Sequence, residues 1–340
     1  MAINVNKVYK SVLSILNKEQ RGYLTPYEFN NLARQAQLGL LDSLFYQYNQ
    51  FLNIENINRT NEGYADLAEK IQEQIDEFYT SSDLTISTGE ATIPSDVYRI
   101  LDITTSSQQT KIEKIDKARL PFLKSSPLTK PTTTFPIYYQ TASKVIIDPS
   151  TISSASMKYI KKPDDPRFGY SIDSTYGTEI YDSNPFVDGG VVKGTRSIGI
   201  VSTNTTGITN ATYTATVGTT TGVSTSGSGS GATFSITVSG GAVTAVEVTA
   251  VGTGFEVGDT ITITSALLTG ASTSVILTLR VEDMYATTTQ GSTDFTLHKS
   301  NETNLILSIL GYAGLIIKDP NIVTAVTQLA SADAQTKRQQ

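Results

Sequence analysis

The chain predicts an α+β protein. N- and C-terminal helices form a helical bundle, a small β-sheet or barrel domain follows the first helices, and an all-β, sandwich-like domain is inserted late in the sequence. Two observations lead there. Apolar residues recur at helical spacing near both ends, and from about Gly189 to Arg280 the sequence is almost wholly Thr, Ser, Gly, Val and Ile. A β-rich block lying between helical ends reads as an insertion that projects from a host domain, whose two ends must meet in space. The expected division is 1–80, N-terminal helical bundle; 81–165, small β domain; 166–188, loop; 189–282, inserted Thr/Gly-rich β domain; 290–330, C-terminal helices completing the bundle; and 331–340, flexible tail.

Val5, Val8, Tyr9, Val12, Ile15 and Leu16 recur at i, i+3, i+4 spacing and predict an amphipathic helix over 4–17. Thr25-Pro26-Tyr27-Glu28 is a capping box. The Thr25 hydroxyl accepts from the third helical N–H, Pro26 suits the first helical position, and Glu28 reaches back. The helix it opens runs to about Leu52, with Phe29, Leu32, Ala33, Ala36, Leu40, Leu44, Phe45 and Tyr48 on one stripe. After an Asn-rich loop at 53–61, a third helix over 62–79 carries Ile71, Ile75 and Phe78. Such helices are not stable singly, so their stripes pack together. Val12, Leu32, Phe45 and Ile71, with Leu305 and Ile309 from the far end, are expected in the bundle core.

Beyond Ser81 the period shortens. Alternating runs at 84–87, 91–93, 98–103, 111–115, 136–140, 144–148 and 157–160 predict a sheet or barrel of about five or six strands. Thr141-Ala-Ser143 is the turn of a hairpin within it, and Pro163 and Pro166 close the region. In the insertion, Gly231–Val238 alternates apolar and hydroxylated residues, Ser239-Gly240-Gly241 makes a tight turn, and Val243–Thr249 returns. Gly252–Asp259 is a second turn before Thr260–Thr264, and Val275, Leu277, Leu279 and Val281 alternate. Val217–Ser230 reads as a mobile, low-complexity loop.

Leu305, Ile306, Ile309, Leu310, Ala313, Ile316 and Ile317 predict an apolar helix from about Asn301. Gly311 and Gly314 are poor helix formers, and predict close approach by a neighbouring helix. Asp319-Pro320 restarts the chain as cap and first helical residue, which puts Ile322, Val323, Val326 and Leu329 on one face. These four are the candidate partner-docking residues. The polar stretch 331–340 is expected to be disordered in the free protein.

The composition narrows function. With a formal net charge of −6, no Cys and one His, the chain excludes thiolate zinc sites, disulfides and most His-based catalysis, and it argues against a primary nucleic-acid grip. No apolar run reaches the ~18 residues of a membrane span. His298 has no accompanying nucleophile pattern. Asp164, Asp165, Asp182 and Asp188 lack the spacing of a calcium loop. Gly227–Gly231 lacks the Gly-Lys-Ser/Thr of a phosphate loop. The Tyr-rich stretch 168–181 suits a packed loop or subunit contact better than stacking on sugars or bases, and Lys158, Lys161 and Lys162 read as a solvated strand end. No enzymatic activity and no cofactor or metal is expected.

Four stretches together resemble the head-to-tail connector (adaptor or ring) proteins of tailed bacteriophages, especially those of marine and crAss-like phages. They are Val5-Asn-Lys-Val-Tyr9 with Leu16–Asn30; Ile93-Pro-Ser-Asp96-Val-Tyr-Arg99; Met157-Lys-Tyr-Ile-Lys-Lys-Pro163; and Asp294-Phe-Thr-Leu297 running into Leu305–Asp319. The likeness covers roughly 1–165 and 290–340. The inserted block, through Gly231-Ala-Thr-Phe234, the Gly240-Gly241 turn and Gly252–Ile261, resembles a Gly-rich β module of marine phage tail and baseplate proteins. The resemblance implies a homo-oligomeric ring, commonly a dodecamer, beneath the portal in the virion neck. DNA passes through it without sequence specificity, tail or further neck proteins adjoin it, and its C-terminal segment reaches into the portal. An acidic wall suits that passage, because weak repulsion leaves DNA sliding in hydrated space. The alternative is a tail or baseplate protein whose β domain binds a host glycan.

Overall fold

The structure is a computed structural model and describes residues 2–18, 23–52, 67–106, 110–173, 175–196, 199–200, 207–317, 324–329 and 331. Helices and strands are both well represented, in an α+β protein with several small sheets. The chain forms two compact units. One comprises residues 1–2, 36–164 and 296–302, and the other 3–35, 165–295 and 303–340. The expected division differs: the first helix, the start of the second and the last helix fall with the inserted β block, and the second and third helices otherwise fall with the small β domain.

The helices begin where their caps dictate. Helix α1 (Val5–Lys18) opens on Asn4, whose side-chain oxygen accepts from the Lys7 N–H at 3.0 Å. Helix α2 (Pro26–Leu52) opens on the expected capping box: Glu28 N–H donates to Thr25 Oγ1 at 3.3 Å, and the Thr25 N–H and hydroxyl donate to Glu28 Oε2 at 3.0 and 2.8 Å. Helix α3 (Leu67–Asp76) ends earlier than its apolar spacing suggests. Tyr79 already belongs to strand β1 (Tyr79–Thr85), because pairing from Tyr79↔Ile160 to Thr85↔Ser154 satisfies a backbone run poor in helix formers.

The first unit has seven strands among the described residues, arranged in two sheets rather than one sheet or barrel of five or six. Strands β1, β7 (Ser154–Lys161) and β3 (Val97–Thr105) lie in the order β1-β7-β3, and β2 (Glu90–Thr92), β6 (Lys144–Asp148), β5 (Ile137–Gln140) and β4 (Glu113–Lys114) in the order β2-β6-β5-β4. Leu84, Ile103, Val145, Ile147 and Met157 come from both sheets and share one core with Ile112. The β5–β6 hairpin turns at Thr141–Ser143 as its sequence predicts. Strands β4 and β5, by contrast, are parallel, with Glu113 opposite Ile137. A parallel pair needs a long crossover. Residues 115–136 supply it, including a 3₁₀ turn at Lys117–Arg119 and helix α4 (Leu120–Ser125).

In the second unit, residues 166–188 are more than a loop. They include a ribbon of β8 (Tyr170–Ile172) and β9 (Glu179–Tyr181). The Thr/Gly block folds into two four-stranded antiparallel sheets. One has the order β10 (Gly194–Arg196), β15 (Ala242–Thr253), β14 (Ser230–Ser239), β12 (Thr212–Thr216); the other β11 (Gly199–Ile200), β17 (Val275–Thr278), β16 (Thr260–Ile263), β13 (Val223–Thr225). Phe234, Ile236, Val246 and Val248 from the first share a core with Ile261, Ile263, Val275 and Leu277 from the second, the arrangement of a β-sandwich. The 217–230 stretch contributes β13, since Val223 and Thr225 pair with Ile263 and Ile261. Val281 lies in a 3₁₀ turn instead of extending β17.

Glycines explain two of its turns. Gly240 and Gly241, with φ of 64° and 80°, close the β14–β15 hairpin in two residues, which L side chains resist at those angles. Gly229 and Gly252 leave room for the buried Phe255 ring: a Cβ on either would lie 2.2 or 2.7 Å from it.

The ends of the sandwich run side by side. Val191 pairs antiparallel with Met284, Val192 N–H donates to the Asp283 carbonyl at 2.7 Å, and Tyr285 N–H to the Gly190 carbonyl at 3.1 Å. The chain therefore enters and leaves the block through one two-stranded neck.

Helix α5 (Glu302–Ile317) follows a 3₁₀ turn at Lys299–Asn301. No helix among the described residues is long and apolar enough to cross a membrane.

Candidate functional site

The stretches behind the connector resemblance pair off within the fold. The first meets the fourth: Val5 N–H donates to the Asp294 carboxylate at 2.9 Å, Asn4 Nδ2 reaches it at 3.3 Å, and Ile3 and Phe295 exchange backbone hydrogen bonds. The second meets the third, as Tyr159 donates to Asp96 Oδ2 at 3.0 Å and Lys162 N–H to the Asp96 carbonyl at 2.7 Å. Tyr98 donates to Asp42, and its ring stacks on Phe45 with centroids 5.7 Å apart. These residues join segments distant in sequence, which is a structural role.

The two halves of the first stretch also close on each other. The Tyr9 ring sits 4.9 Å from Phe29 and 4.3 Å from Phe168, and its hydroxyl donates to the Leu24 carbonyl at 3.1 Å. Burial raises the Tyr9 pKa above that of an ordinary phenol. The Asn30 amide imitates a strand neighbour, accepting from Phe168 N–H at 2.7 Å and donating to the Phe168 carbonyl at 3.2 Å. Tyr23 donates to Glu179 at 2.5 Å, so the Tyr-rich stretch is held by the N-terminal residues of its own unit.

Of the expected bundle-core residues, Val12, Leu305 and Ile309 are buried in one unit and Ile71 in the other, while Leu32 and Phe45 are half-buried. Leu41 and Gln37, not singled out from the sequence, are fully buried. Gln37 donates to the Asp164 carbonyl at 2.8 Å and accepts from Thr296 N–H at 3.3 Å. A polar residue inside an apolar stripe was the available signal.

Among the docking candidates, Ile322 and Val323 lie outside the described residues, as does nearly all of 331–340. Val326 and Leu329 lie in a helical stretch at 324–329, and differ. Val326 packs over Gly311, where a Cβ would lie 3.2 Å from its Cγ1, in keeping with the close approach that glycine predicts. Leu329 is 54% exposed.

A cleft of about 400 Å³ opens beside Arg34 and Arg167. Arg34 pairs with Asp165 at 2.7 Å. Arg167 donates to the Tyr285 carbonyl at 3.2 Å and to that of Thr288, and its guanidinium lies 4.4 Å from the Phe186 ring centroid. Burial lowers its pKa, yet an arginine stays charged at neutral pH. Tyr27, Tyr170 and Phe186 supply ring surface along the same cleft.

The remaining candidates have local duties. His298 Nδ1 accepts from Ser300 N–H at 3.3 Å, capping the turn before α5. Lys161 pairs with Asp164 at 3.0 Å, and Asp182 accepts from Gly291 N–H at 2.8 Å. No group of three or more His, Cys, Asp or Glu suited to a metal ion occurs among the described residues.

Compared with known proteins, the chain matches no family model and no curated protein.

Proposed function

We propose that the chain is a structural virion protein, a head-to-tail connector subunit that forms a ring beneath the portal and around the DNA channel, without enzymatic activity. The observation that carries this reading is the pairing of the four resembling stretches, Val5 with Asp294 and Asp96 with Tyr159. Residues scattered over nearly 300 positions are among those that tie distant segments together, as expected when a likeness is one of architecture. Their work is holding segments together, and nothing among their described residues is arranged as nucleophile and base. The two-stranded neck at 190–192 and 283–285 fits a connector that carries an added β module.

In this reading the ring is homo-oligomeric, probed best as a dodecamer, and its C-terminal segment from Asp319 docks on the portal. Leu329 is the described apolar residue free to meet a partner, whereas Val326 is engaged with Gly311. The test is portal capture by the full chain and by a chain ending at Lys318. Capture by the full chain alone supports the reading; equal capture by both overturns the docking role, and capture by neither overturns the connector assignment.

A second reading, a tail or baseplate protein binding a host glycan, has the Arg167 cleft in its favour, because aromatic ring surface beside charged and amide side chains suits a sugar. That cleft lies outside 189–282, which moves the site from the β module to its base. Glycan-array binding that is lost in Tyr27→Ala, an exposed position, would favour it.

A further inference from the structure

We propose that residues 115–136 form a docking arm that seats on helix α3 of a second copy of this chain. The inference rests on the ring-subunit reading and names its subunit contact.

Topology makes the arm necessary but does not explain its surface. The parallel β4–β5 pair demands a crossover, and a crossover ordinarily buries an apolar face against its sheet. Here neither the 3₁₀ turn nor α4 has a buried residue, and within 116–135 only Pro131 is buried. Phe122 and Phe135 are each 77% exposed and Leu128 is 97% exposed. The arm nevertheless has defined local structure. Asp116 caps its first turn by accepting from Ala118 N–H at 3.2 Å, Thr129 Oγ1 donates to the Leu123 carbonyl at 3.1 Å, and Lys124 pairs with Asp148. An ordered segment that presents three large apolar side chains to water is shaped for a partner.

Charge identifies that partner. Residues 111–136 hold six basic side chains (Lys111, Lys114, Lys117, Arg119, Lys124, Lys130) against Glu113 and Asp116, in a chain whose net charge is −6. Lys111 and Lys124 are paired with Asp102 and Asp148; Lys114, Lys117, Arg119 and Lys130 have no ion pair among the described residues. Helix α3 supplies the complement. Glu69, Glu73 and Asp76 are exposed at i, i+4 and i+7, on the side away from the buried Ile71 and Ile75. None of the three has an ion pair among the described residues. DNA phosphates would satisfy the lysines but leave Phe122, Leu128 and Phe135 in water, whereas a protein face can cover both. Because arm and stripe are different patches, the contact is head-to-tail, the kind that generates a ring when its rotation closes.

Sedimentation velocity on the full chain tests this with three variants: K117E/R119E/K130E in the arm, E69K/E73K/D76K in the stripe, and both sets combined. Each set alone should weaken self-association about tenfold or more, and the combination should restore it to within about threefold of the parent. Recovery in the combined variant also excludes misfolding as the cause. Phe122→Ser with Leu128→Ser should weaken association without moving the thermal midpoint. Unchanged association in both single sets overturns the proposal and leaves the connector reading standing on its portal assay; so does a monomeric parent chain that still binds portal. Loss of duplex-DNA binding in the arm variant with self-association intact would assign the arm to nucleic acid and overturn the proposal as well.

Discussion

The Asp294 carboxylate caps the helix that begins at Val5, accepting its backbone N–H at 2.9 Å across 289 residues of sequence. A carboxylate there satisfies a free N-terminal donor and meets the positive end of the α1 dipole. Asn4 donates to the same carboxylate while capping Lys7, so the start of the first helix is sealed from two directions.

Asp294→Ala should therefore cost about 1 kcal/mol, with Asp294→Asn costing less because an amide oxygen still accepts. Urea denaturation followed by circular dichroism reads the difference. Equal stability of the alanine variant and the parent would remove the cap from the explanation of how the chain ends are joined.

Acid should loosen the start of α2. The hydrogen bonds from the Thr25 hydroxyl and backbone hold the Glu28 pKa below its ordinary value of 4.5. A lowered folded-state pKa adds stability that is present above the unfolded value and disappears as the pH falls through the folded one. Glu28→Gln should thus lower the thermal midpoint at neutral pH and converge with the parent as the pH falls through the lowered folded-state pKa, below 4.5. Parallel curves across that range would show that the carboxylate contributes nothing ionic.

The Phe255 seat predicts a large effect from a small change. A methyl at Gly229 would sit 2.2 Å from the ring, so Gly229→Ala must displace a buried aromatic and should destabilise the sandwich by about 1–3 kcal/mol. Gly258→Ala makes a useful companion, since a Cβ there meets nothing within 4 Å and only its φ of 95° opposes it.

Excision of the sandwich should leave a folded protein. Replacing 193–282 by Asn-Gly joins Val192 to Asp283 through a two-residue hairpin, which suits the antiparallel neck already present. Val191 and Met284 lose their core neighbours and are best changed to Thr in the same variant. A cooperative thermal transition with undiminished helical signal is the expected outcome, and a molten product would make the sandwich part of the fold's foundation.

At the C-terminus, Leu329→Asp should leave stability within about 0.5 kcal/mol of the parent while weakening portal capture. Val326→Asp should lower stability, because its side chain packs over Gly311. The reverse order would exchange their roles.

Local signals were the legible ones. The Thr25–Glu28 box, the α2 span and the Gly240-Gly241 hairpin each depend on residues within a few positions, and each formed where its chemistry demanded. Non-local pairing was not readable. Nothing in 79–85 announces that β7 will recruit Tyr79 and stop α3 at Asp76, and the short β8 and β9 owe their ribbon to each other. The parallel β4–β5 pair was hidden for the same reason, although the lysine-rich, apolar-studded composition of 111–136 was visible. For the candidate site, Gln37 and Arg167 act through backbone carbonyls far along the chain, and composition does not reveal such partners.

The antiparallel neck has an evolutionary corollary. Because Val191 and Met284 stand opposite one another, the gap a replacement must bridge is only about 5 Å, the spacing of neighbouring strands. Any compact domain with adjacent termini fits that socket without stretching the chain on either side. Recombination there can exchange one module for another while the residues that cap and pair the flanking segments go on folding as before.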